Sequence, residues 1–141
     1  MRHVVFRLDR DRYALPLSAI REVVPAPAHY TRVPRAPPVL RGVMNLRGRV
    51  IPVVDLRALL EQPPTATSTP SLRIVLLEIG RRDLGLLVTD VDGIESIEKV
   101  VSAAQKASPT VRGLARLGAL AITVLDPEGL DAAVARTFTR S

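Results

Sequence analysis

Apolar residues recur along this chain in short runs of strand length, each closed by glycine, proline or a few polar residues. Residues 3–8 and 12–17 run or alternate apolar on either side of the polar turn Asp9-Arg10-Asp11, which is a β-hairpin pattern. Ile20-Arg21-Glu22-Val23-Val24 continues extended and stops at Pro25-Ala26-Pro27. Pro34, Pro37 and Pro38 exclude regular helix from the rest of 25–38, predicting an ordered loop over one barrel mouth. Two further strands follow at 43–46 and 49–54, separated at Gly48. Asp55 then stands at the N-cap position of a short helix over 56–61. After the stretch Gln-Pro-Pro-Thr-Ala-Thr-Ser-Thr-Pro-Ser, the strand pattern starts again at 73–79, 84–91, 93–99, 113–117 and 119–125. Asp126-Pro127 opens a second helix, with apolar spacing at Leu130, Val134 and Phe138.

The second series is the first one repeated. A shift of 71 positions, without a gap, lays Val4-Val5-Phe6-Arg7-Leu8 on Val75-Leu76-Leu77-Glu78-Ile79. It also lays Arg41-Gly42 on Arg112-Gly113, and Ile51-Pro52-Val53-Val54-Asp55 on Ile122-Thr123-Val124-Leu125-Asp126. Two copies of one unit are implied. With about five short strands in each, the expected fold is mainly all-β, two tandem five-stranded β-barrels related by duplication, with a short helix after each copy. The chain reads as one domain over 1–141, with subdomains over roughly 1–61 and 72–141. The connection 62–71 between them reads as flexible and without chemistry of its own. At about 70 residues each copy is marginal alone, so the two are expected to share buried surface.

Composition narrows the function. The core is aliphatic, since only 3% of residues are aromatic, and the absence of cysteine removes disulfides, thiolate metal sites and a cysteine nucleophile. No apolar run approaches the length of a membrane span and the first strand begins at once, so a soluble cytoplasmic protein is expected. The net charge is +6 and 18 of the 20 basic residues are arginine, but they are scattered rather than striped. A nucleic-acid-binding barrel is therefore an alternative with little to support base stacking. His3 and His29 lack partners at metal-ligand spacing, and no nucleophile elbow or phosphate-binding loop occurs. The carboxylate pairs Asp9/Asp11 and Asp90/Asp92 read as solvated turn residues. No enzyme, metal or cofactor is expected.

The sharpest motif is Gly42-Val43-Met44-Asn45-Leu46-Arg47-Gly48 followed by Val50-Ile51-Pro52-Val53-Val54-Asp55-Leu56, and its charged turn is missing from the second copy. It resembles the coupling proteins of bacterial chemotaxis, the CheW family. Tyr13-Ala14-Leu15-Pro16-Leu17, Thr31-Arg32-Val33-Pro34 and Gly85-Leu86-Leu87-Val88 match the family in order, and the resemblance covers essentially the whole chain. One departure is Thr89 where the family commonly has Asp, with Asp90 a place later. The resemblance implies two SH3-like barrels and a non-enzymatic adaptor at receptor arrays. Its partners would be the cytoplasmic tips of methyl-accepting chemoreceptors, the regulatory domain of a CheA-type histidine kinase, and other proteins of the same fold. An adaptor that binds receptor but not kinase is the alternative within the family.

The resemblance places the segment from Ile20 to Val23 near the Arg47 turn, making Glu22 the expected partner of Arg47. Were that pair buried, removing one member would cost about 3–5 kcal/mol. The resemblance also assigns Ile20, Glu22, Val23, Arg47, Val88, Val91 and Ile94 to a groove that grips a receptor helix. On a single barrel the five aliphatic residues among them would be read as core. Met44, Arg49 and Val50 are the corresponding candidates for the kinase contact. Gly42, Asn45 and Gly48 are expected to shape the turn itself.

Overall fold

The computed structural model describes residues 1–63, 65, 71–102 and 108–139. Among these residues, eleven strands lie in two sheets. β1 (Arg2–Leu8) and β2 (Asp11–Pro16) form the expected hairpin, and a 3-10 turn, Leu17–Ala19, leads into β3 (Ile20–Pro25). β4 (Leu40–Leu46) and β5 (Arg49–Asp55) form a second hairpin, followed by the one-turn helix α1 (Leu56–Leu59). The repeat supplies β6 (Arg73–Ile79), β7 (Arg82–Val88), β8 (Asp90–Ser96), the two-residue β9 (Val101–Ser102), β10 (Val111–Leu117) and β11 (Leu120–Leu125). The helix α2 (Pro127–Thr139) closes the chain. The strands expected at 84–91 and 93–99 are displaced, because the chain bends at Thr89 and β8 begins at Asp90. Of the connection 62–71, residues 64 and 66–70 lie outside the described residues.

The copies do not each close their own barrel. One sheet runs β8-β1-β2-β11-β10-β9 and the other β3-β6-β7-β5-β4. Each sheet thus joins the leading hairpin of one copy to the remaining strands of the other. The boundary expected at 62–71 separates two copies in sequence but not two sheets in space. The connections explain why. For β3 to take β8's place beside β1 it would have to run parallel to β2, starting from β2's far end. The three residues 17–19 span roughly 10 Å at most, whereas a six-residue strand is about 20 Å long. In the second copy a single residue, Thr89, joins β7 to β8. Each third strand must therefore leave for the other sheet.

The exchange is symmetrical in its details. β5 pairs with β7 in parallel and β11 with β2 in parallel. Register shifts fall at Ile20/Glu22 against β6 and, 71 residues on, at Val91/Gly93 against β1. Each barrel has its own small core, one including Ile51, Val53, Ile74 and Leu87, the other Val5, Ala14, Ile122 and Val124. The largest cluster belongs to both copies and contains Phe6, Leu8, Leu15, Val54, Leu56, Leu77, Leu86, Leu125 and Leu130. Burying each leucine of this kind contributes on the order of 1.5–3 kcal/mol, so the joint between the sheets is also the main apolar core.

Asp55 is nearly inaccessible and caps α1 as expected, accepting from the Arg57 backbone N–H at 3.1 Å. It also accepts from the backbone N–H and the hydroxyl of Thr65, both at 2.8 Å, and from Arg41 at 3.1 Å. Arg41 in turn donates to the Thr65 carbonyl. Thr65 is buried, so the connection does carry chemistry, because its backbone is drawn in to satisfy a buried carboxylate. The equivalent pair in the second copy, Arg112–Asp126, is 3.3 Å apart and partly exposed.

Asp55→Ala leaves Arg41 and two Thr65 donors without their acceptor, and it is expected to cost about 3–5 kcal/mol in urea unfolding. Asp126→Ala is expected to cost less than about 1 kcal/mol. The buried His3 gives a second expectation. Burial holds its pKa below the ordinary 6.5, and the nearby Arg112 adds to this. Below pH 6.5 the unfolded chain therefore binds a proton that the folded chain resists. Stability is fully present above that pH and is lost as pH falls through it. The urea midpoint should drop between pH 7.5 and 5.5, and His3→Gln should flatten that part of the profile.

Candidate functional site

The charged motif occupies the hairpin turn between β4 and β5. Leu46 and Arg49 are the last ladder pair, leaving Arg47 and Gly48 as a two-residue loop with φ of 52° and 82°. Positive φ at both central positions is the type I′ pattern, whose twist matches that of the flanking strands. Gly48 adopts it freely, whereas Arg47 carries a strain of order 1 kcal/mol. The Asn45 side chain offsets part of this by accepting from the Gly48 backbone N–H at 2.9 Å. At the other end of β4, Gly42 has φ 145° and lies so close to the 30–31 segment that a Cβ would stand 2.6 Å from the Thr31 carbonyl oxygen. The backbone crossing there, Thr31 to Val43 at 2.9 Å in both directions, requires glycine. The turn-shaping expectation for Gly42, Asn45 and Gly48 thus has a specific cause at each position.

Arg47 forms an ion pair with Glu22, the expected partner. β3 and β4 are the two edges of their sheet, so this contact bridges the open seam of the barrel. The Arg47 side chain is 66% exposed, and the penalty anticipated for a buried pair does not apply. Beside it lies a contact that sequence reasoning missed. Asp83 on β7, only 11% exposed, pairs with Arg21 on β3 at 3.3 Å and with Arg49 on β5. Arg49 is therefore anchored across the sheet rather than free. The signal for Asp83 was available in the repeat, where it falls on Arg12 and Arg21 falls on Asp92. Asp90 and Asp92, expected as solvated turn residues, sit in β8 and are ion-paired to Arg7 and Arg12.

The remaining predicted residues divide by burial. Val88 is inaccessible and belongs to the shared cluster, and Met44 is buried in the core of its own barrel. Neither offers surface to a partner, because each faces inward from a strand covered on that side. Ile20 and Val91, equivalent under the offset, are half-buried against the shared cluster. Three residues further along the same strands, Val23 and Ile94 are 36% and 48% exposed. The structure thus gives β3 and β8 the same aliphatic pattern, starting at the joint between the barrels. Val50, at 67% exposure, projects beside the Arg47 turn. Two concavities of about 700 and 710 Å³ lie elsewhere, one flanked by α1 and α2, the other along β9 and β10, and no predicted groove residue lines either. Among the described residues, no cluster of acidic or histidine side chains could hold a metal, and no helix is long and apolar enough to cross a membrane.

Two intertwined SH3-like barrels, of which the first copy alone carries the Asn45–Arg47 turn, define a class of non-identical double-barrel modules. Comparison with known proteins fixes the family. The model of the CheW-like domain matches residues 2–134, and the chain belongs to that family. A crystal structure described as the scaffolding protein TtCheW from Thermoanaerobacter tengcongensis superposes with a TM-score of 0.83 at 27% identity, covering 92% of this chain and 90% of that one. A chemotaxis protein CheW of Klebsiella aerogenes is 26% identical over 133 residues, 90% of this chain and 79% of that protein. A probable chemotaxis protein CheW of Rhizobium etli is 33% identical over 97 residues, or 67% of this chain, and the match spans 59% of that protein's length.

Because the Arg47–Glu22 pair is exposed, Arg47→Ala is expected to lower stability by less than about 1 kcal/mol. Arg47→Gly should be at least as stable as Arg47→Ala, since glycine removes the positive-φ strain. Asn45→Ala, which orphans the Gly48 N–H, should cost about 1 kcal/mol. Urea midpoints of the three variants check the order.

Proposed function

We propose that this chain is a non-enzymatic adaptor that couples the cytoplasmic tips of chemoreceptors to the regulatory domain of a CheA-type histidine kinase. The observation that carries the reading is the family match over residues 2–134, together with the likeness to a protein described as a scaffold. In this reading Ile20, Val23, Val91 and Ile94 supply aliphatic contacts to an amphipathic receptor helix, and the Glu22–Arg47 pair borders them with a fixed charge. Arg49 and Val50 belong to the kinase-facing side of the same turn, and receptor arrays on the cytoplasmic side of a membrane are the site of action. Val88 and Met44 have no part in either contact.

The charge distribution supports a protein partner over a nucleic acid. Arg7, Arg12, Arg21, Arg41, Arg47, Arg49, Arg82 and Arg112 each face a carboxylate. These arginines are neutralised locally by carboxylates rather than presented as a basic stripe.

Titration of the purified chain against a soluble receptor signalling fragment, and separately against a CheA regulatory domain, tests the proposal. Val23→Asp or Ile94→Asp should weaken receptor binding about tenfold or more, because each places a charge in an apolar contact. Val50→Asp should weaken kinase binding and spare the receptor. Binding to neither partner would sink the adaptor reading, and binding to the receptor alone would remove the kinase half. Steep loss of affinity for single-stranded DNA with rising salt would instead favour a nucleic-acid binder.

A further inference from the structure

The offset of 71 residues relates the two sheets, yet one set of equivalent side chains has opposite charge in them. In the sheet of β1, β2 and β8, Asp92 lies 3.0 Å from Arg7 and 2.9 Å from Arg12. In the sheet of β3, β6 and β7, Arg21 lies 3.6 Å from Glu78 and 3.3 Å from Asp83. Adding 71 carries Arg7 to Glu78, Arg12 to Asp83 and Arg21 to Asp92, so every member of the triad is reversed. The central residue of each triad is the extra residue at a register shift, Arg21 between Ile20 and Glu22, and Asp92 between Val91 and Gly93. A bulge re-aims its side chain, and here it aims both over the neighbouring hairpin.

We propose that these reversed triads are a pairing address, restricting each leading hairpin to the third strand of an unlike copy. The short connections already force that strand to leave its own sheet. They do not decide whether it joins the other copy of its own chain or a like copy in a neighbouring molecule. Backbone register and apolar pattern are shared by both copies and cannot make the distinction. Charge does. Pairing first copy with first copy across two chains would gather Arg7, Arg12 and Arg21, and pairing second with second would gather Glu78, Asp83 and Asp92. Like charges at facing positions oppose such pairing. The triads therefore oppose like-with-like strand exchange between molecules, one form of the hazard that a duplicated, exchanged fold carries. The covalent tether then favours the unlike copy of the same chain.

The double variant Arg21→Asp/Asp92→Arg reverses the code, making pairing within the chain repulsive and pairing of like copies between chains attractive. After unfolding and refolding at rising protein concentration, the native chain should elute as a monomer in size exclusion with light scattering. The double variant should shift to dimers and larger species, its folding equilibrium reduced about tenfold or more, and strong salt should return it towards monomer. The chain has no cysteine of its own, so an Arg2→Cys/Ser96→Cys reporter can be added. These positions face each other on β1 and β8, and their disulfide within one chain should form with native charges and fail with reversed ones. An unchanged elution, urea midpoint and disulfide yield would overturn the proposal. So would a destabilised monomer that salt restores but that forms no dimer at any concentration. Should Asp92→Arg prevent folding, Arg12→Asp/Asp92→Arg is expected to fold better than Asp92→Arg alone, and no recovery would also overturn the proposal.

Discussion

The connection from β2 to β3 is three residues long, and its equivalent in the second copy is one. Chains that short cannot return along the strand they have just left, and the rest of the architecture depends on this. Each third strand is delivered to the other sheet, so neither copy completes a barrel by itself. The apolar faces of both copies then meet in one cluster around Phe6, Leu15, Leu77 and Leu86. The joint between barrels is consequently the best-buried part of the molecule rather than a hinge. β3 and β8, which border that joint, present the aliphatic rows proposed above for a receptor helix, on a well-packed support.

On this symmetrical frame the copies have diverged where the chain leaves the last strand of each. In the first, Asp55 draws Thr65 inward, and the buried carboxylate, Arg41 and the connection become one unit. In the second, Asp126 stays partly exposed beside Arg112 and leads into the long helix α2. The hairpin turns differ in the same way. Asn45 closes the turn and Arg47 reaches Glu22 in the first copy, while Arg116 and Gly118 hold those places in the second. The two ends of the module thus share a backbone and differ in side-chain chemistry.

Much of this was legible in the sequence because it is local. Period-two apolar runs gave the hairpins, and Asp55 gave the cap of α1. The gap-free offset gave the duplication, and the Gly42-to-Leu56 motif gave the family and with it the Arg47–Glu22 pair. Which of the apolar candidates face solvent was only half legible. Val23 and Ile94 are exposed, whereas Val88 and Met44 are core, and all four look alike to a pattern that records apolarity without facing. Asp83 escaped notice because its partners come from β3 and β5, distant in sequence, and Thr65 because it sits in a stretch of turn-like composition.

By itself, then, the sequence determined most of the strands, the repeat and the family, each of which rests on neighbouring residues or on direct comparison of the copies. The tertiary structure alone decided which copy supplies which strand. Two copies with the same apolar periodicity have the same pairing preferences, so no local pattern can choose between them. The choice falls to the reach of two short connections and to side chains such as Arg12 and Asp92, which are distant in sequence and meet only once the chain has folded.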